Sequence, residues 1–255
     1  MLVDDQENNP KKFWAYIKSK RIEAGGVSPL RHEEKLHHDS CKKANILNDQ
    51  FASVFSDEDT SDIPTKMTNA YPDAPAIEII PLGVLKLLKE IDPHKAPGPD
   101  QIPGRLLKEL AVEIAPILTT VFGASLHQGQ IPDQWKEANV TPLFKKGDRS
   151  NPSNYRPISL TCLCSKIMEH IIHSNVIRHL EANSILSVYQ HGFRKNRSCE
   201  SQLITTIQDL ADGLNQGHQL DCILLDFSKA FDKAPHMRLF ATCNFYGVRG
   251  ETLNW

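Results

Sequence analysis

The sequence predicts an α+β fold in which helices outnumber a few dispersed strands. Apolar residues recur at helical spacing in most segments, whereas only two short segments alternate or run apolar as strands do. The segments show no regular βαβ rhythm, which argues against a parallel α/β sheet. The chain has 255 residues and 40% hydrophobic residues, enough for one large domain or two small ones.

The composition excludes several classes of protein. The formal net charge is -2, so any surface that binds nucleic acid must be a local basic patch. No apolar run approaches the roughly 20 residues of a membrane span, and the polar, acidic start argues against a signal peptide. We therefore expect no membrane partner and a location in the cytoplasm, the nucleus or both.

The six cysteines are scattered, which favours free thiols in a reducing compartment. Cys162 and Cys164 are separated by one residue, which is not a usual zinc-finger spacing. His37 and His38 lie in a polar stretch without a second pair of ligands. We predict no zinc site.

The first part of the chain reads as two helices and a linker. Residues 10–25 form a basic amphipathic pattern that ends at two glycines, and residues 40–56 form a second apolar pattern. The basic helix either touches a phosphate backbone or presents an ordinary solvated face. An acidic, proline-containing stretch follows, and we interpret residues 63–76 as a linker.

A globular block is predicted from residue 77 onward. Helical spacing covers residues 77–92, 104–128, 163–182 and 199–214, and 231–247 is helix-like. Pro97, Gly98 and Pro99 make a rigid turn after the first of these helices. Strands are predicted at 139–148, running into a loop, and at 219–227.

The segment with the clearest chemistry is Leu-Leu-Asp-Phe-Ser-Lys-Ala-Phe-Asp at 224–232. A nearly continuous apolar strand delivers Asp226 at its carboxyl end, and a carboxylate there needs a cation or hydrogen-bond donors as a partner. Mg²⁺ fits, because it prefers oxygen ligands and takes few protein carboxylates. The alternative is an aspartate that caps the following turn or helix. For Asp232, a structural role is favoured over metal binding.

Five segments together resemble reverse transcriptases of jockey-like and related non-LTR retrotransposons. LLDFSKAFD is similar to the first catalytic motif of that family. PHKAPGPDQIPGRLLKEL, IPDQWKEANVTPLFKKGD, NYRPISLTCLCSKIMEHII and VYQHGFRKNRSCESQL resemble its finger blocks in the family's order. The upstream NNPKKFWAYIKSKR and LNDQFASVF resemble the segment that joins endonuclease to polymerase.

The resemblance implies the fingers and the start of the palm of a right-hand polymerase, behind a helix-rich N-terminal extension. We accordingly expect a helical connector at 1–62, the linker at 63–76, fingers at 77–217, and the first palm strand with its following helix at 218–255. It also implies an RNA template, a DNA primer, deoxynucleoside triphosphates and Mg²⁺ as ligands. Oligomeric state is left open.

The resemblance also implies roles for individual residues around the nucleotide. Asp226 matches the first metal-binding aspartate, and the carbonyl of Phe227 is a further metal ligand. The amides of Lys229 and Ala230 match positions that hold the triphosphate. Phe231 matches the ring that excludes a 2′-hydroxyl, since a rigid ring leaves no room for it; otherwise Phe231 is a plain core aromatic.

The basic residues of the fingers receive two implied roles. Lys145, Lys146 and Arg156 match residues that close on the phosphates, where positive charge stabilises the developing negative charge; a solvated hairpin tip is the alternative for the two lysines. The block Gln190-x-Gly192-Phe193-Arg194 implies template binding. The template-binding residues are Gln190, Arg194, Lys195 and Arg197, acting on the backbone rather than on the bases.

The family's second metal-binding motif, two adjacent aspartates, is not found after Asp226. The sole Asp-Asp pair is Asp4-Asp5. One carboxylate cannot hold two metal ions, so we expect a truncated chain that is inactive alone, with a poorly ordered or aggregation-prone segment from about 218. Three alternatives remain: a non-catalytic nucleic-acid-binding remnant, a translated relic without function, and a group II intron maturase-like enzyme.

Overall fold

A computed structural model describes residues 26–55, 57–63 and 71–255. The predicted basic helix at 10–25 lies outside the described residues. The described residues divide into two compact units, the first drawn from those up to residue 53 with 142–158 and the second from those of 54–141 with 159–255. Residues 142–158 group with N-terminal residues in the first unit, and the domain bounds implied by the resemblance stay a prediction.

The first unit packs a small hairpin and one helix. Strands β1 (Leu30–His32) and β2 (Lys35–His37) are antiparallel, with Leu30 opposite His37, and were not predicted. Helix α1 (Ser40–Ala52) begins at the cap residue Asp39, whose carboxylate accepts a hydrogen bond of 2.9 Å from the Lys42 amide. The predicted helix at 40–56 is thus confirmed but ends at Ala52.

A second hairpin is formed by strands β3 (Asn139–Phe144) and β4 (Tyr155–Leu160). Strand β3 confirms the prediction for 139–148, whereas β4 was missed because Pro157 disfavours a strand in a local pattern. The loop between them contains a single 3-10 turn at Pro152–Asn154. Within the first unit, four residues form the buried core: Leu30, Ile46, Leu47 and Tyr155.

The second unit begins its helices with α2 (Pro81–Glu90). The predicted start at residue 77 is wrong, because Ile80 is extended and Pro81 opens the helix. A residue before proline is disfavoured in the helical region, while proline fits the first helical turn. Val84 and Leu88 are fully buried on its inner face.

The single helix predicted at 104–128 is two helices, α3 (Gly104–Glu109) and α4 (Ala111–Gln128). The break falls at Leu110, whose ψ of 24° departs from helical geometry. Gly129 ends α4 in the left-handed conformation. The short helix α5 (Asp133–Lys136) follows, and its Trp135 packs edge-on against the buried Phe122.

The remaining helices are α6 (Leu163–Ala182), α7 (Cys199–Asn215), α8 (His236–Phe245) and α9 (Gly250–Asn254). Helices α6 and α7 confirm their predictions closely. The helix-like stretch at 231–247 is instead a turn followed by α8. The core of the second unit is formed by residues of α2, α3, α4 and α6. Cys164 belongs to this core, and its burial raises the pKa of the thiol to about 12.

The predicted strand at 219–227 is wrong, because these residues adopt no strand in the structure. A strand exists only through pairing, and the two small sheets of the described chain do not include this segment. Its apolar side chains are therefore open to solvent, with Leu224 91% exposed and Phe227 83% exposed. The expected first palm strand is an extended, unpaired segment here.

Residues 71–76 are the described end of the linker expected at 63–76, and they contact the C-terminal region. The Tyr71 amide donates to the Phe245 carbonyl at 3.2 Å, and the Ala74 amide donates to the Gly247 carbonyl at 2.8 Å. The Tyr71 ring also packs edge-on against Phe245 and Tyr246. This part is anchored on the C-terminal region. In the described chain, no helix is long and apolar enough to cross a membrane.

Candidate functional site

The β3–β4 hairpin carries the three predicted phosphate-binding residues of the fingers. The Lys145 amide donates to the Asn154 carbonyl at 2.9 Å, which closes the hairpin loop. Side chains alternate along paired strands, so Lys145 and Arg156 lie on the face opposite the packed rings of Phe144 and Tyr155. Lys145, Lys146 and Arg156 are all exposed, and none forms an ion pair with a described carboxylate.

Hydrogen bonds within the hairpin loop give it a defined shape. The Asp148 carboxylate accepts from the amide and the hydroxyl of Ser150, which lowers the pKa of Asp148. Gly147 has a φ of +91°, a conformation that suits glycine. The Tyr155 hydroxyl donates to the Arg149 carbonyl at 2.7 Å. Lys145 and Lys146 therefore stand at the start of a loop whose shape is fixed by internal hydrogen bonds. This position is compatible with both a phosphate site and a solvated hairpin tip.

The predicted template-binding loop lies between α6 and α7, and its basic residues differ in their surroundings. Arg194 is only 16% exposed, lies 3.6 Å from Glu181 and donates to the Ser187 carbonyl at 2.9 Å. Its Nε atom is buried without a partner among the described residues. The guanidinium of Arg194 is thus engaged by Glu181 and Ser187, whereas the Lys195 side chain is exposed. Gln190 donates to the Gly192 carbonyl at 3.3 Å.

Arg197 takes part in a small network that the sequence did not indicate. Its Nη1 lies 3.1 Å from Nε2 of His191, and Nδ1 of His191 lies 2.7 Å from the Ser201 hydroxyl. Ser201 also forms a reciprocal capping box with Ser198 at the start of α7. The capping pattern is visible in the sequence, but the contact of His191 with it is not.

The structure brings one residue of the predicted template-binding block to the predicted catalytic motif. The rings of Phe193 and Phe231 lie 5.9 Å apart at an interplanar angle of 81°, the edge-to-face arrangement that aromatic rings prefer. Phe193 has a φ of +58°, which is uncommon for a bulky residue and often marks a functional loop. Phe231 is 78% exposed, so it is not a plain core aromatic.

Asp226 does not lie in an assembled metal site. Its side chain is exposed, as are Phe227, Lys229 and Ala230 around it. No group of three or more His, Cys, Asp or Glu residues able to hold a metal ion exists among the residues described. Asp226 also caps no helix, because α8 begins ten residues further on at His236. The described residues by themselves do not fit a two-metal centre, which needs more than one carboxylate.

Comparison with known proteins relates part of the chain to one family. Residues 144–255 match the family model described as reverse transcriptase (RNA-dependent DNA polymerase), a stretch that includes both the Gln190–Arg194 block and Asp226. This part of the chain is thus similar to RNA-directed DNA polymerases, and the mixture of helices with few strands in the described residues is consistent with the α+β class.

The similarity is to polymerases of non-LTR retrotransposons in particular. The chain is 30% identical over 168 residues, 66% of its length, to the probable RNA-directed DNA polymerase from transposon X-element of Drosophila melanogaster. It is 27% identical over 207 residues, 78% of its length, to that from transposon BS of the same species. The polymerase from mobile element jockey is 27% identical over 154 residues, 60% of the chain. The chain covers 18%, 22% and 17% of these relatives, about a fifth of their length.

Proposed function

We propose that the chain is the fingers and the beginning of the palm of a retrotransposon reverse transcriptase, which extends a DNA primer on an RNA template. The observation that carries the proposal is the family match over 144–255, which spans the segment around Asp226. Cytoplasm and nucleus are the compartments where such an enzyme meets its RNA and its DNA target.

The proposed division of labour follows the exposure of the charged side chains. Lys145, Lys146 and Arg156 are exposed on the hairpin without an ion pair to a described carboxylate, so their charges are available for the phosphates of an incoming nucleotide. Lys195 and Arg197 are also exposed without an ion pair to a described carboxylate, so their charges are available for the template backbone. Arg194 already binds Glu181, which makes it an anchor of the loop before it is a template contact.

Phe231 is proposed to line the sugar side of the nucleotide. Its ring is exposed and is held edge-on by Phe193, so a sugar approaching it meets a surface of defined orientation. The amides of Lys229 and Ala230 precede it in a turn, where Lys229 adopts a φ of +54°. Backbone amides in such turns form anion-binding concavities, which supports a triphosphate contact there.

Catalysis is proposed to require more than these 255 residues. Asp226 with the Phe227 carbonyl would supply part of a Mg²⁺ site, but the described residues contain no group of three or more His, Cys, Asp or Glu side chains able to hold a metal ion. When divalent cations are bound, they stabilise charge on the phosphoryl oxygens. The Asp-Asp pair at positions 4 and 5 is distant in sequence from this motif. We expect the 255 residues alone to bind nucleic acid without extending a primer.

The test is primer extension on an RNA template with Mg²⁺ and deoxynucleoside triphosphates. It compares the 255-residue chain with Asp226→Ala and with Asp232→Ala, an exposed carboxylate of the same turn that serves as the control. No extension by any of the three agrees with the proposal of an incomplete metal site. Extension that Asp226→Ala abolishes and Asp232→Ala leaves intact would show that the chain completes the site by itself.

The second candidate function is a non-catalytic nucleic-acid-binding module. The exposed cations of the hairpin favour this function, because lysine and arginine side chains can bind phosphates without a metal ion. Binding of a labelled RNA–DNA hybrid should weaken with salt, and Lys146→Ala should lower that salt dependence. Lys86→Ala is the control, since Lys86 already lies 4.0 Å from Glu90. Salt dependence that is the same in both variants would remove the hairpin from the binding surface.

A further inference from the structure

We infer that His191 is a positioning residue that holds the guanidinium of Arg197 in place for a template phosphate. The inference rests on the proposed template-binding role of Arg197. His191 is only 9% exposed and occupies the variable position of the Gln-x-Gly-Phe-Arg block. Each of its ring nitrogens lies within hydrogen-bond distance of a side chain, Nδ1 with Ser201 and Nε2 with Arg197.

The donors and acceptors assign a single tautomer to His191. A guanidinium has only donors, so Nε2 of His191 must accept the hydrogen bond of 3.1 Å from Nη1 of Arg197. The proton then resides on Nδ1, which donates to the Ser201 hydroxyl oxygen at 2.7 Å. His191 is therefore a neutral ring that accepts on one side and donates on the other.

Ser201 gives this arrangement a rigid base. Its hydroxyl donates to the Ser198 carbonyl at 3.0 Å and accepts from the Ser198 amide at 2.9 Å. With the His191 proton as a second accepted bond, every hydrogen-bonding position of the hydroxyl is filled. Since this hydroxyl belongs to the capping box of α7, the orientation of His191 is tied to the start of a 17-residue helix.

The network uses one of the five guanidinium N–H groups of Arg197 and leaves the others available. The arginine is exposed, and no described carboxylate forms an ion pair with it, in contrast with Arg194 and its partner Glu181. A long side chain loses rotamer freedom when it binds a phosphate. His191 restricts the Arg197 side chain before the phosphate binds. Less rotamer freedom is therefore lost in the binding step itself.

The test measures binding of a fluorescein-labelled single-stranded RNA to the 255-residue chain by anisotropy over a range of salt. The variants are Arg197→Ala, His191→Asn, His191→Gln and the double variant His191→Asn with Arg197→Ala. Asparagine can reach Ser201 but is too short for Arg197, whereas glutamine can offer an acceptor near the position of Nε2. His170→Gln, at an exposed histidine of α6, is the control.

We expect Arg197→Ala to weaken RNA binding roughly tenfold at low salt and to lower the salt slope by about 0.7, the value for one phosphate contact on a single strand. His191→Asn should produce a smaller change in the same direction, and the double variant should be no weaker than Arg197→Ala alone. His191→Gln should recover most of the affinity. His170→Gln should leave binding unchanged.

Three outcomes would overturn the inference, and they separate it from the proposed function. An unchanged salt slope in Arg197→Ala removes the template role of Arg197 and the positioning role with it. A lowered slope in Arg197→Ala with full binding by His191→Asn removes only the positioning role. Additive losses in the double variant, accompanied by lower thermal midpoints, mean that His191 acts on the fold and not through Arg197.

Discussion

Glu58 caps helix α8 from a position 179 residues before Met237. Its carboxylate accepts hydrogen bonds from the amides of Met237 at 2.8 Å and Arg238 at 3.1 Å. Pro235 precedes the helix and supplies no side-chain cap, so Glu58 satisfies donors that the helix would otherwise leave open. The guanidinium of Arg238 also donates to the Asp62 carbonyl at 3.0 Å, which fastens the acidic stretch to the same helix end.

Removal of this cap should destabilise the second unit. We expect Glu58→Ala to lower the free energy of unfolding by about 1–2 kcal/mol, because two helix-start amides lose a charged acceptor. Glu58→Gln should cost less, since its amide oxygen can still accept. Thermal unfolding followed by circular dichroism measures both. Asp57→Ala, an exposed neighbour, is the control, and equal losses in Asp57→Ala and Glu58→Ala would contradict the capping role.

Gly98 is predicted to tolerate no side chain. A Cβ atom at this position would lie 2.5 Å from the Cys162 backbone nitrogen and 2.6 Å from the Thr161 carbonyl carbon. Backbone atoms cannot yield as a flexible side chain does, so Gly98→Ala should cost about 1–3 kcal/mol of unfolding free energy.

Gly123 in α4 offers the matched control for Gly98. A Cβ atom there would meet no atom within 4 Å. Gly123→Ala should therefore stabilise the protein by up to about 1 kcal/mol, the helix preference of alanine over glycine. Urea unfolding of both variants measures the contrast. Stability that falls by the same amount in both would show that the close approach of Gly98 to Cys162 has no energetic weight.

The extended segment 219–227 should exchange its amide hydrogens quickly. None of these amides donates a backbone hydrogen bond to another described residue, and Leu225 is 88% exposed. Exchange followed by mass spectrometry should show this segment unprotected, while peptides of α4 around the buried Phe122 remain protected. Protection of 219–227 equal to that of α4 would mean that the segment is paired after all.

The Asp148 carboxyl should titrate below its ordinary value of 3.8. The Ser150 amide and hydroxyl donate to the ionised form, which lowers the folded-state pKa. The loop is thus stabilised above the unfolded-state pKa, and this stabilisation is lost as the pH falls through the folded-state pKa. Ser150→Ala should raise the midpoint part of the way, as followed by carbon NMR of the carboxyl group. A midpoint that Ser150→Ala leaves unchanged would contradict the assigned cause.

Short-range patterns in the sequence determined the long helices. The apolar residues that predict α6 and α7 recur within one or two helical turns, so a local window contains the whole signal. The same holds for the motif around Asp226, whose resemblance to reverse transcriptases agrees with the family match over 144–255. The long helices and the resemblance of this part of the chain to reverse transcriptases could therefore be predicted from the amino-acid sequence alone.

Only the tertiary structure decided the contacts between distant residues. A local window could not reveal that β4 pairs with β3 despite Pro157, or that 219–227 has no partner strand among the described residues. Nor could it reveal that Arg194 binds Glu181 while Arg197 binds His191. The acidic stretch that composition marked as a linker contains Glu58, which caps α8. A hydrogen-bond acceptor can cap any helix end that the fold places beside it, whatever the distance along the sequence.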